Sequence, residues 1–69
     1  MTILYATVLE IRNGSLLVCD RQTGQQVLVN AWNACCFSVG EAITIYYNGV
    51  MTKSIPPQIT ASCIQRTCF

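Results

Sequence analysis

The chain has 69 residues, of which 52% are hydrophobic and only 10% are charged, and its formal net charge is +1. This composition excludes a disordered chain, which would be polar and highly charged, and four basic residues offer no electrostatic footprint for a phosphate backbone. The length predicts one domain, residues 1–69, with a thin margin of stability because so small a domain buries only about 60% of its unfolded surface.

The first half of the chain predicts three strands joined by two tight turns. Thr2–Arg12 is a long run rich in β-forming residues, and one of its two sides is apolar at first and charged later. Burial on both faces at one end and on one face at the other suits a long, curved first strand that is shared by two halves of a barrel. Asn13-Gly14 then predicts a type I′ hairpin turn, in which both central residues have positive φ. The return strand, 15–20, and the third strand, 25–30, follow, with turn residues between them.

The segment 31–37 interrupts the strand pattern and predicts one or two helical turns. So short a helix is unstable alone, so we expect it to be held by packing of Trp32 and Phe37. Ala42–Tyr47 predicts the fourth strand. Gln58–Arg66 predicts the fifth, whose expected inner side carries Ile59, Ala61 and Cys63.

These elements predict an all-β protein, a small five-stranded OB-like barrel with one short helical turn between strands 3 and 4. An SH3-like barrel is the alternative, because it also uses five short strands and little helix. Closure is expected in either case, since open apolar edges would aggregate.

The segment between the fourth and fifth strands carries a resemblance to a known family. Residues 47–59 read Tyr-Asn-Gly-Val-Met-Thr-Lys-Ser-Ile-Pro-Pro-Gln-Ile and follow a Gly40-Glu41 step into the fourth strand. This pattern resembles a family of small, mostly bacterial proteins of unknown function with a Tyr-x-Gly-x-Met-Thr-x-Ser-x-Pro-Pro-Gln-Ile corner. The resemblance implies an OB-like barrel and no activity. Many relatives have an export leader, which this sequence lacks.

We predict that the protein is not an enzyme and has no cofactor or metal site. The chain has no histidine and three carboxylates, so no acid–base pair near neutrality is evident. Asp20 and Glu41 are expected to bond backbone groups. The five cysteines lack zinc-ligand spacing, and we expect buried free thiols, with Cys68 the most exposed.

The chain has no apolar run of about 20 residues and no basic start before its first apolar residues, so we predict no membrane span, no secretory signal and a cytoplasmic location. Partner binding is therefore the remaining class of function. A protein partner or a homo-oligomer is expected, and weak binding of single-stranded nucleic acid or oligosaccharide is the alternative. The second and third strands contain no aromatic residue for base stacking, so nucleic acid is disfavoured.

The segment 48–58 is predicted to be either a binding loop or a structural corner. Pro56-Pro57 fixes two φ angles and stiffens it, and a stiff loop loses little entropy on binding. In the structural alternative, polar side chains of this segment bond backbone groups and end the barrel. The candidate binding residues are Tyr46, Tyr47, Met51, Lys53 and Ile55. The isomers of the two prolyl bonds remain open at this point.

Overall fold

In a computed structural model, the chain forms a closed barrel of five strands, and the structure describes residues 2–66. One turn of 3₁₀ helix, Ala34–Cys36, lies between the third and fourth strands. The predicted all-β class, the five strands and the short helical turn are confirmed. The strands are β1 (Thr2–Arg12), β2 (Ser15–Asp20), β3 (Gln26–Asn30), β4 (Ala42–Tyr47) and β5 (Gln58–Arg66).

The strand order around the barrel is β1-β2-β3-β5-β4, and β4 closes it by pairing with β1. β3 and β5 are parallel, whereas the other neighbouring strands are antiparallel. The first part of β1, residues 2–7, pairs with β4, and the part from residue 6 to residue 12 pairs with β2. The predicted long first strand shared by two halves of the barrel is therefore confirmed.

A β-bulge at Leu9 changes which side of β1 faces the core. Val8 pairs with Val18 and Glu10 pairs with Leu17, so Leu9 is the extra residue. Leu4, Ala6 and Val8 point inward before the bulge, whereas Ile11 packs against the core after it. The extra residue thus turns Glu10 to the surface, because one added residue reverses the alternation of side chains.

A second bulge, in β5, overturns the expected position of Cys63. Tyr46 pairs with Cys63 and Tyr47 pairs with Ala61, so Ser62 is the extra residue. Ile64 takes the inner position and Cys63 is exposed. The prediction that Cys63 faces the core is wrong, because it assumed strict alternation of side chains and did not allow for the extra residue Ser62.

The core is a mainly aliphatic cluster to which all five strands contribute. Leu16, Ile43 and Ile45 are completely buried within it. Each such side chain contributes roughly 1.5–3 kcal/mol relative to an exposed one. For a 69-residue chain with a thin margin of stability, a few of these residues decide whether the barrel folds.

The segment before β4 packs differently from its prediction. Ala31, Ala34 and Phe37 are buried. The N–H of Ala34 donates to the carbonyl of Ala31 and the N–H of Phe37 to that of Ala34, and residues three apart in such turns lie on one face. Trp32 lies off this face and is 91% exposed. The expected packing of Phe37 is confirmed, and the expected packing of Trp32 is wrong.

The hairpin between β1 and β2 also differs in detail. Gly14 has φ +80°, but no residue other than glycine has positive φ in the described range 2–66. Asn13 therefore cannot adopt the conformation that a type I′ turn requires. The hairpin is present, with Arg12 paired to Ser15, and the predicted turn type is wrong.

Candidate functional site

The segment between β4 and β5, residues 48–57, forms a loop whose base is closed by hydrogen bonds; we call it the corner. The backbone N–H of Thr52 donates to the carbonyl of Gln58 over 3.0 Å. The N–H of Gln58 donates in return to Oγ1 of Thr52 over 2.9 Å. These two bonds join Thr52, in the middle of the corner, to Gln58 just after it, and so close the part of the corner formed by residues 53–57.

The tip of the corner is braced by a second set of bonds. The hydroxyls of Thr52 and Ser54 lie 2.7 Å apart, and Ser54 Oγ donates to the carbonyl of Pro56 over 2.9 Å. The Ile55–Pro56 peptide bond is cis, and Pro57 is buried. Polar side chains therefore do bond backbone groups, as the structural alternative expected. They do so without covering the tip.

The five predicted binding residues are not brought onto one surface. Tyr47 is 7% exposed and belongs to the core, and Met51 is half-buried and packs against that core. Tyr46 is half-buried on β4. Lys53 is exposed, and the Ile55 side chain is 99% exposed at the tip. The accessible part of the predicted surface is therefore Lys53 and Ile55.

The sequence reasoning missed the exposure of Trp32. Val50 is also exposed, 66%, on the corner beside the predicted set. Trp32 lies after β3, in a segment with asparagines on both sides of it at positions 30 and 33. A tryptophan between asparagines, in a segment too short to bury it, was the signal that could have identified it.

Two depressions lie along β5. The first, about 150 Å³, lies beneath the corner, and the second, about 110 Å³, lies beside Trp32. The first is lined by Asn30, Asn48, Val50, Thr52, Gln58, Ile59 and Thr60. The second is lined by Trp32, Asn33, Ala61, Ser62, Cys63 and Ile64. No charged residue lines either of them.

The carboxylates bond backbone or cationic groups. Asp20 Oδ1 accepts the N–H of Gln22 over 2.8 Å, and Glu41 Oε1 accepts the N–H of Ser38 over 3.2 Å. Both match the expected backbone-bonding roles. Glu10 pairs with Arg12 at 3.2 Å on the surface.

The four described cysteines are free thiols, but most of them are not buried as expected. Cys35, Cys36 and Cys63 are exposed and Cys19 is half-buried, whereas Cys68 lies outside the described residues. Within residues 2–66, no group of three or more histidine, cysteine, aspartate or glutamate side chains is placed to hold a metal ion. The prediction of buried thiols fails because the 3₁₀ turn and the bulge in β5 both turn cysteines outward.

Comparison of the chain with protein families, curated proteins and solved structures finds no match. Among the described residues, no helix has the length and apolar character needed to cross a membrane.

Proposed function

We propose that this protein is a non-enzymatic binding module, an OB-like barrel that holds a protein partner or a second copy of itself against the tip of the corner. The observation that carries the proposal is the exposure of Ile55, 99%, on a loop whose base and tip are braced by hydrogen bonds. A braced loop loses little conformational entropy on binding. Covering an isoleucine side chain contributes roughly 1.5–3 kcal/mol.

The OB-like assignment rests on connectivity. A three-strand meander is followed by the 3₁₀ turn, and β5 then inserts between β3 and β4 with a parallel β3–β5 pair. An SH3-like barrel is built from antiparallel neighbours, so the parallel pair favours the OB-like alternative. The proposed relation to the family of small bacterial proteins is supported by the sequence of residues 47–59.

The chemistry of the corner indicates the kind of partner. Lys53 is exposed beside Ile55 and adds one positive charge to an otherwise uncharged loop. An apolar pocket with an acidic residue at its rim would match this pair. The described cysteines are free thiols, which supports a reducing, cytoplasmic setting. The structural roles of the carboxylates support a non-enzymatic protein.

The test compares variants of the exposed tip. Ile55→Ser removes the apolar side chain. Val39→Ser is the matched control, because Val39 is also an exposed apolar residue, 66%, but lies in the turn before β4, whereas the corner follows β4. Each immobilised protein is incubated with extract of the cells that produce it, and retained proteins are quantified by mass spectrometry. A partner retained by the wild type and by Val39→Ser should fall about tenfold with Ile55→Ser.

Sedimentation velocity on the same variants identifies a second copy as the partner. In that case the wild type and Val39→Ser should self-associate and Ile55→Ser should be monomeric. The proposal is overturned if Ile55→Ser retains the same proteins and sediments like the wild type. It is also overturned if the wild type is monomeric and retains nothing above a blank resin.

Single-stranded nucleic acid has weaker support. Its groove would need basic residues along the backbone and aromatic faces for the bases. Trp32 is accessible for stacking, but only neutral residues line the depression beside it and the depression beneath the corner.

A further inference from the structure

The linings of the two depressions follow one another along β5, and together they are called the β5 surface. Residues 30 and 59–60 line the first, and residues 32–33 and 61–64 line the second. The centres of these stretches on β5 are about three residues apart, or roughly 10 Å at the rise of a strand. A single elongated molecule could therefore contact both depressions.

This surface carries polar side chains that have no hydrogen-bond partner among residues 2–66. Their side chains are amides and hydroxyls, and each is at least partly exposed to solvent. They are Asn30, Asn33, Gln58, Thr60 and Ser62. An amide both donates and accepts, as does a hydroxyl, so this set matches a ligand whose own groups do both.

Trp32 adds a flat apolar face at one end of these polar side chains. The ring is 91% exposed, although tryptophan is among the residues that gain most from burial. A tryptophan side chain presents a broad apolar body and one N–H donor, which suits a ligand with an apolar face and a polar rim. A pyranose ring has this character, because its C–H groups form apolar faces and its hydroxyls lie mainly along the edge.

We propose that this surface is a binding site for a neutral oligosaccharide, with one sugar ring stacked on Trp32 and the next rings bonded by the amides of Asn30 and Gln58. The depressions, about 150 and 110 Å³, are each smaller than the roughly 300–1,000 Å³ of enclosed small-molecule pockets, which favours an extended ligand on the surface. The absence of charge in both linings disfavours phosphate chains and acidic sugars.

The test uses a panel of neutral hexasaccharides of glucose, N-acetylglucosamine, xylose and mannose, titrated by calorimetry up to about 10 mM. Trp32 is the only tryptophan in the chain, so its fluorescence gives an independent readout of the stacked ring. At least one hexasaccharide should bind and change this fluorescence. Trp32→Ala should weaken binding at least about tenfold, and Trp32→Phe should weaken it less because a ring is retained.

Two further variants separate this site from the proposed protein contact. Gln58→Ala should weaken the sugar about fivefold or more, whereas Ile55→Ser should leave it unchanged because that side chain points away into solvent. Loss of protein partners with Ile55→Ser while sugar binding persists would support both proposals independently. Circular dichroism checks that each variant is folded. If Trp32→Ala does not fold, Trp32→Phe alone tests the contribution of the tryptophan ring to sugar binding.

Several outcomes overturn the proposal. One is no binding of any hexasaccharide by the folded wild type. Another is equal binding by Trp32→Ala and Trp32→Phe. A third is salt-sensitive binding of a thymidine decamer in place of the neutral panel, which would assign the surface to nucleic acid. A fourth is self-association of the protein through these residues that prevents the sugar from binding, which would assign the surface to a second copy.

Discussion

Arg66, the last residue of β5, donates a hydrogen bond from Nε to Oε2 of Glu41 over 2.7 Å and so ties the end of β5 to the turn before β4. The same guanidinium donates to the carbonyl of Cys36 and lies 5.4 Å from the centre of the Phe37 ring. One side chain thus connects the end of β5 to both ends of the segment between the 3₁₀ turn and β4.

We expect Arg66→Ala to lower the free energy of unfolding by about 1 kcal/mol, which is roughly 4–8 °C in Tm for a chain of this size. The value is modest because the Arg66 side chain is 58% exposed and solvent screens the pair. Urea denaturation measures the change. Arg66→Lys should recover only part of it, because a lysine cannot contact Glu41 and the Cys36 carbonyl with a planar fork.

The Glu10–Arg12 pair provides an internal control for this effect. Its atoms lie 3.2 Å apart, and both side chains are about half exposed. Glu10→Gln should therefore change stability by less than about 0.5 kcal/mol, whereas Glu41→Gln should cost more. Equal effects of the two substitutions would show that Arg66 does not fasten the barrel in this way.

Gly49 is expected to be intolerant of a side chain for two separate reasons. Its φ is +89°, and a Cβ built there would lie 2.9 Å from Oγ1 of Thr2. Gly40, with φ +87° and nothing within 4 Å of a Cβ, has the backbone strain alone. We expect Gly40→Ala to cost about 1 kcal/mol and Gly49→Ala to cost more.

A double-mutant cycle isolates the contact at Gly49. Thr2→Ala removes the hydroxyl that a Cβ would meet, so the Gly49→Ala penalty should fall toward that of Gly40→Ala in this background. Thermal denaturation of the variants provides the comparison. An unchanged penalty in the Thr2→Ala background would mean that backbone strain accounts for all of it.

The strands were predictable from sequence because β-rich runs are separated by strong turn residues, and all five lie where expected. The orientation of side chains was less predictable. Bulges at Leu9 and Ser62 each insert one residue and reverse the alternation beyond it. Nothing in the local composition marks these residues, since a bulge is set by how the barrel closes rather than by propensity.

The candidate site was predictable only in part. The corner and the exposure of Ile55 follow from a proline pair after an Asn-Gly turn. The neutral surface beside Trp32 could not be found this way, because β3 and β5 become neighbours only through a parallel pairing of segments far apart in sequence. The same long-range pairing places Asn30 next to Thr60.

The core and the bulge of β1 offer a matched pair of leucines. Leu16 is completely buried, whereas Leu9 is 40% exposed at the bulge. Leu16→Ala should cost about 2–5 kcal/mol, which in a domain with a thin margin is enough to unfold much of the protein at 25 °C. Leu9→Ala should cost less than about 1 kcal/mol. Comparable losses in urea denaturation would contradict the placement of the bulge.

Thr52 tests whether the corner is braced as proposed. Its Oγ1 accepts the N–H of Gln58 and bonds the Ser54 hydroxyl, so Thr52→Val keeps the shape but removes both bonds. We expect a loss of about 1 kcal/mol and faster hydrogen exchange at the Gln58 amide. Ser54→Ala should cost less, because that amide keeps its acceptor. If the Gln58 amide exchanges at the wild-type rate in Thr52→Val, the side chain does not hold the corner. The entropic advantage proposed for binding at Ile55 would then lose its basis.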